Sequence, residues 1–125
     1  FFGRVAQQRI IDSRWVVDVN VQGLPTPLQV SITTKSSARL KLITEKDVML
    51  IYKAPSVKIS QKPLDNQSNQ FPVNIKSLNE EEAILQFAES DIEFCATVHQ
   101  PNQWQIGQQV WIHIDQEQII LATLG

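Results

Sequence analysis

Cysteine is nearly missing from this chain: Cys95 stands alone among 125 residues. A lone cysteine closes no internal disulfide, so the fold does not depend on oxidation, and a reducing, cytoplasmic setting is expected. Glycine is scarce too, at positions 3, 23, 107 and 125. That spacing builds no phosphate-cradling loop, which excludes an ATPase within these residues. His99 and His113 are the only histidines, and neither has a cysteine or carboxylate at ligand spacing, so no metal site is expected. No histidine or aspartate spacing supports Cys95 as a nucleophile, so no catalytic residue and no cofactor is assigned. The formal net charge of −2 and a pI near 5.6 make the chain a poor candidate to grip DNA by itself. No apolar run approaches the roughly 20 residues of a membrane helix, and no signal-peptide pattern opens the sequence. It starts at Phe1 without a methionine, and is expected to be a piece of something longer.

Alternation fills the rest. Trp15, Val17, Val19 and Val21 are predicted to share one strand face, with Asp18 and Asn20 opposite. Gly23, Pro25 and Pro27 force a turn, and Leu28, Val30 and Ile32 make the next strand. Val48 to Tyr52 is nearly continuous in apolar residues and predicts a strand buried on both faces, broken by Lys53-Ala54-Pro55-Ser56 because proline cannot continue a ladder. Val57 and Ile59 form one short strand more. Residues 62–70 are polar and contain a proline, which predicts a linker. Beyond it Phe71 to Ile75, Ala83 to Phe87, Ile92 to Val98, Val110 to Ile114 and Ile119 to Leu121 start the order again.

The two halves superpose in that order. Val48 aligns with Val110, Val57 with Ile119 and Ile59 with Leu121, while Ile32-Thr33 meets Ala96-Thr97 if the second copy loses two residues in its helix. The expected fold is therefore all-β with short helices: two tandem five-stranded Greek-key barrels of the oligonucleotide/oligosaccharide-binding (OB) type. The expected division is residues 1–61, a linker at 62–70, and 71–125. Units this small are marginal alone, so tight packing and dimerisation are expected.

The stretch Ser31 to Leu42, with Lys53-Ala54 beyond it, is where chemistry concentrates. A strand feeds a threonine at a good N-cap position, then residues that form helix. Hydroxyls, a guanidinium and the first helix amides are all donors, a combination that suits a small oxyanion. Without a further pattern, Arg39 and Lys53 also read as ordinary surface charges, and Thr33, Thr34, Ser36 and Ser37 as caps. Trp15, Trp104 and Trp111 read as core or interface, with stacking on bases as the alternative in this barrel type.

The run Ile32-Thr33-x-x-Ser36-x-x-Arg39-Leu40-x-Leu42, then Val48 and Lys53-Ala54-x-x-Val57, resembles the Mop (TOBE-type) molybdate-binding motif. Phe2-Gly3, Lys53-Ala54-Pro55, Cys95-Ala96-Thr97-Val98 and the ending Ile119 to Leu124 extend the likeness to the C-terminal di-Mop domain of ModE-type molybdate-responsive transcriptional regulators. The resemblance implies two Mop subdomains in a homodimeric effector domain, with molybdate or tungstate bound at the subunit interface. DNA would be bound only by an N-terminal helix-turn-helix domain with no counterpart here. Carried over by position, the anion contacts fall on Thr33, Ser36, Arg39, Lys53 and the Ala54 amide. The family also uses a Ser-x-Arg pair just ahead of the segment matching Phe1-Phe2-Gly3, outside this chain. Glu45 replaces the family's turn glycine, which the second copy keeps as Gly107. The second copy lacks the Ser, Arg and Lys of the first, so no site of the same type is expected there.

Molybdate is a tetrahedral dianion without a proton to donate. Arg39 and Lys53 can offset its charges while Thr33 and Ser36 donate hydroxyl hydrogens. Hydrogen phosphate carries an O–H that a donor-only site leaves unpaired, at a cost of about 1–3 kcal/mol; sulfate must be sorted by cavity size. Other readings are a free-standing molybdate-storage protein of the molbindin kind, the regulatory tail of a molybdate-transporter ATPase, and an oligonucleotide-binding barrel.

Overall fold

A computed structural model describes residues 1–65, 68–87 and 89–123, with the side chains of Arg39 and Pro101 outside the described set. Strand β1 (Phe2–Ile11) turns through Asp12 and Ser13 into β2 (Arg14–Asn20). Both turn residues have positive φ, 50° and 66°, the conformation whose twist matches that of the flanking strands. Then come β3 (Leu28–Ile32), helix α1 (Thr34–Leu40), β4 (Asp47–Ile51), a 3-10 turn at Ala54–Ser56 and β5 (Val57–Ser60). The second round is β6 (Gln70–Leu78), β7 (Glu82–Phe87), β8 (Glu93–Thr97), a 3-10 turn at Pro101–Gln103, β9 (Gln109–Ile114), a 3-10 turn at Gln116–Gln118, and β10 (Ile120–Thr123).

The strands form two antiparallel five-stranded sheets, ordered β10-β4-β1-β2-β3 and β5-β9-β6-β7-β8. β3 approaches β10 in the first and β8 approaches β5 in the second, so each sheet curls toward closure. These are the two OB-like units that the repeat predicts. The fifth strands, however, are exchanged. β5 does not return to β4 but pairs with β9, Val57 opposite Ile114 and Ile59 opposite Ile112. β10 pairs with β4, Leu121 opposite Leu50.

This exchange moves the expected boundaries. The two compact units are Phe1–Tyr52 with Gln116–Gly125, and Lys53–Asp115. The division at 1–61 and 71–125 fails because hydrogen bonds, not chain order, assign β5 and β10. Nor is 62–70 a linker between units: it is a connection within the second one. There Leu64 and the Gln70 side chain exchange two 2.6 Å hydrogen bonds, amide N–H to Oε1 and Nε2–H to carbonyl. Asn66 and Gln67, in the same stretch, lie outside the described residues.

The first core gathers Val5, Val17, Val19, Leu28, Val30, Val48 and Leu50; the second gathers Phe71, Phe94, Ile75, Leu85, Ile112 and Ile114, all at most 2% exposed. Phe71 stacks on Phe94 with centroids 6.2 Å apart and meets Phe87 edge-on. In β2 the predicted outer face is more buried than expected. Asp18 is only 6% exposed because Gln7 Nε2 donates to its Oδ2 (2.8 Å) and Arg9 Nη1 pairs with the same oxygen (2.9 Å). In β4 the opposite correction applies. Val48 and Leu50 are buried, but Met49 and Ile51 alternate outward, with Ile51 42% exposed.

Register also refines the repeat. Val5 pairs with Val19 as Ile75 pairs with Leu85, and Val19 faces Leu28 as Leu85 faces Phe94. The counterpart of Ile32-Thr33 is therefore Val98-His99 rather than Ala96-Thr97. The second copy spends only a three-residue 3-10 turn where the first builds α1, so it is shorter there than expected. Both copies carry a register shift after the same residue, Val5 and Ile75. Both close it with the same bond, Glu45 N–H to Val5 O and Gly107 N–H to Ile75 O, each 2.7 Å. Glu45 takes φ 70° at the place where Gly107 has 88°, so the missing glycine changed the residue and not the backbone.

Gly3 is needed for a different reason. A Cβ there would stand 2.6 Å from the Asn20 carbonyl oxygen and 2.7 Å from Val19 Cγ1. Gly3→Ala should therefore lower unfolding free energy by about 1–3 kcal/mol in urea titrations, the usual cost of forced overpacking; an unchanged midpoint would mean that β1 can move aside.

Candidate oxyanion site

Thr33 follows β3 in an extended conformation (φ −76°, ψ 159°) and caps α1. Its Oγ1 accepts from the Ser36 amide at 3.1 Å, and its carbonyl accepts from Ser37 N–H at 2.9 Å. The Thr33 hydroxyl donates to Ser36 Oγ, 3.0 Å away. That arrangement leaves the Ser36 hydroxyl proton as the outward donor. The other helix end is closed by Lys41 in the left-handed conformation (φ 50°) and by Lys46, whose Nζ donates to the Leu40 carbonyl at 2.8 Å.

Thr33 and Ser36 line a cavity of about 210 Å³ in the first unit, with Arg14, Ser31, Ile32, Leu40 and Ile119–Leu121. Its polar side chains are three hydroxyls, of Ser31, Thr33 and Ser36, and the Arg14 guanidinium. Arg14 Nε donates to Ser31 Oγ at 2.7 Å and Arg14 Nη2 to the Ser31 carbonyl at 3.2 Å. Arg14 is a residue that the motif reading missed. The signal was the β2–β3 register: Trp15 pairs with Ile32, so the residue before Trp15 falls beside Thr33.

The remaining expected contacts sit elsewhere in the chain. Arg39 belongs to α1, but its side chain lies outside the described residues. Lys53 and Ala54 open the second unit, in and before the 3-10 turn at Ala54–Ser56. Lys53 is extended and exposed, and its carbonyl accepts from Ser56 N–H at 2.8 Å. Ala54 begins the turn, so its amide has no partner within it. The structure thus brings Thr33 and Ser36 together, with Arg14 and Ser31 in the same cavity. Leu124, part of the C-terminal likeness, also lies outside the described residues.

Other candidates have structural roles. His113 is 6% exposed with Nδ1 2.8 Å from the Ser68 carbonyl. Trp104 is 9% exposed and packs in the second unit. Burial, and then the Glu82 carboxylate, push the Cys95 thiol up from its ordinary pKa, which keeps it protonated and a poor nucleophile. Among the described residues no three His, Cys, Asp or Glu side chains gather as a metal site.

Residues 1–59 match the model of the TOBE domain family. Over all 125 residues the chain is 91% identical to the transcriptional regulator ModE of Haemophilus influenzae, covering 49% of that protein. The chain is a TOBE-type domain of the ModE kind. It is also 33% identical, over 99% of its length and 50% of the relative's, to the DNA-binding transcriptional dual regulator ModE of Escherichia coli. The ModE-type domain thus spans about half the length of the curated relatives it matches. Its fold is that of the cytoplasmic molybdate-binding protein ModG crystallised with molybdate bound, with a TM-score of 0.84 and 20% identity over 98% of this chain and 94% of that one.

The two hydroxyls separate in their consequences for folding. Thr33→Val, which removes the cap, should cost about 1 kcal/mol in thermal or urea unfolding. Ser36→Ala, whose amide keeps its acceptor, should stay within about 0.5 kcal/mol. Equal losses for both would contradict the assignment of Thr33 as the cap.

Proposed function

We propose that this domain is a non-catalytic effector module that binds molybdate or tungstate as a homodimer and reports it to transcription through the rest of a ModE-type regulator. The observation that carries the reading is a cavity lined by Ser31, Thr33, Ser36 and Arg14, with no carboxylate residue in its lining. It belongs to a chain 91% identical to a protein named as the transcriptional regulator ModE. Thr33 and Ser36, with Arg39, Lys53 and the Ala54 amide, hold the oxyanion at a subunit interface. The guanidinium and ammonium offset its two charges, the Ser36 hydroxyl and the Ala54 amide donate to its oxygens, and Thr33 holds Ser36 in place. Ligand then favours the dimer arrangement it binds best, which is the route to an attached DNA-binding domain. DNA contact belongs to that N-terminal domain and the site of action is the cytoplasm.

Dimerisation is supported by the outward face of β10, β4 and β1. Phe2 pairs with Met49, Met49 with Ala122, and Ile51 with Ile120, so all five point the same way. Phe2 is 67%, Ile51 42% and Ile120 54% exposed. Clustered apolar side chains of this kind on a strand face mark a protein contact. A storage role has one observation in its favour: the domain covers 94% of ModG, named a cytoplasmic molybdate-binding protein, so the tandem fold needs no DNA-binding partner to exist.

Isothermal titration with molybdate, against sulfate and phosphate, tests the ligand. Arg39→Ala and Lys53→Ala should each weaken molybdate binding by about tenfold or more while far-UV circular dichroism stays unchanged; wild-type affinity in both variants would sink the site as drawn. The dimer has its own test. Ile51→Asp with Ile120→Lys should shift the light-scattering mass from two chains to one and weaken molybdate binding with it. A dimer that survives both changes would place the contact on another face.

A further inference from the structure

We infer that Arg14 recognises the oxyanion in the first unit's cavity and that Glu117 is its built-in competitor, so that the arriving ligand takes over a guanidinium now shared with a carboxylate of the same chain. The inference rests on the oxyanion reading of Thr33 and Ser36.

Arg14 is fixed in place before any ligand arrives. Its Nε and Nη2 are committed to Ser31 Oγ (2.7 Å) and the Ser31 carbonyl (3.2 Å), and Ser31 is itself only 8% exposed. A guanidinium has five N–H donors in one plane, so the tether to Ser31 uses part of the fork and leaves the rest for an anion. A pre-positioned fork loses little rotamer freedom when it binds, unlike a free surface lysine. Because Ser31 Oγ accepts from Arg14, its own hydroxyl proton becomes a further donor beside Thr33 and Ser36 in the same cavity.

Glu117, in the 3-10 turn Gln116–Gln118, brings Oε1 to 3.7 Å from Arg14 Nε. That distance is beyond a hydrogen bond, and the side chains are 39% and 59% exposed, so this is a loose, solvent-screened pair. A dianion seated against Thr33 and Ser36 offers Arg14 shorter, charge-assisted contacts. It also repels Glu117. The carboxylate therefore subtracts from affinity and sets a threshold for occupancy.

The repeat isolates the pair. By strand register the second unit has Glu80 where the first has Arg14, and His99 where it has Thr33. Pro55 stands in its corresponding 3-10 turn where the first unit has Glu117. The cation and its competitor thus occur together only beside Thr33 and Ser36. Glu117 also lies in the turn that delivers β10, the strand carrying Ile120. Exchange of its partner is felt directly by that strand.

The test is titration of the whole chain with molybdate alone, in wild type, Arg14→Ala, Arg14→Lys, Glu117→Gln and Ser36→Ala, with melting temperatures beside. Expected are a loss of roughly tenfold in Arg14→Ala, partial recovery in Arg14→Lys, and a gain of about threefold in Glu117→Gln, each less marked at high salt. An Arg14 that only braces Ser31 would lower the melting temperature but leave Glu117→Gln no tighter than wild type, and that result overturns the inference. Glu117 is exposed, so its variant decides the matter even if Arg14→Ala fails to fold. Loss of binding in Ser36→Ala with no change at Arg14 or Glu117 would overturn this inference and leave the oxyanion reading standing. No molybdate binding by any form, wild type included, would overturn both.

Discussion

Everything in this chain depends on the exchange of its fifth strands. β4 and β9 each need a partner on their free edge, since an unpaired ladder edge is both unsatisfied and prone to sticking. The four residues Lys53–Ser56, stiffened by Pro55, carry the chain onward rather than back, so β5 completes the sheet of β9 and β10 later completes the sheet of β4. Neither repeat can finish its own sheet. Units of this size have little core to spare, and the exchange makes the second half of the sequence a condition for folding the first.

The site inherits that connectivity. The cavity of the proposed oxyanion site is walled on one side by the end of β3 and the start of α1, which are local in sequence. Its other wall is Ile119–Leu121, brought from the far end of the chain by the same strand pairing. The turn that supplies this wall also supplies Glu117. Chemistry at Thr33 and Ser36 is thus in contact with β10 by construction, and β10 contributes to the apolar outward face. The proposed site and the apolar outward face are therefore joined by covalent and hydrogen-bonded continuity within one unit, with no long pathway to invoke.

The repeats show how a fold can be kept while a site is not. The register shift after Val5 and Ile75 and the bonds at Glu45 and Gly107 are reproduced almost atom for atom. Glu45 holds the left-handed backbone that glycine holds in the other copy, which means the sheet geometry outweighs the local preference. The helix that carries the hydroxyls, by contrast, shrinks to a 3-10 turn in the second copy. Backbone devices that close a sheet are shared; the hydroxyl side chains of the proposed anion site are not.

Local pattern determined a good deal on its own. The period-2 alternation of Leu28 to Ile32 and Phe71 to Ile75 located strands and their buried faces, because side-chain direction in a strand follows from the backbone alone. Thr33 as a cap followed from hydroxyl geometry next to residues that favour helix, and the tandem arrangement followed from repetition at constant spacing. Tertiary structure decided the rest. Which sheet owns β5 and β10 is a question of hydrogen-bond partners distant in sequence, and adjacency in the chain gave the wrong answer. Val48 to Tyr52 reads as buried on both faces because the run is nearly continuous in apolar residues, yet Met49 and Ile51 face outward, since apolar composition records what a surface can bind and not what lies over it. Arg14 belongs to no motif in the sequence; only pairing across β2 and β3 sets it beside Thr33, because a strand's neighbours are chosen by register.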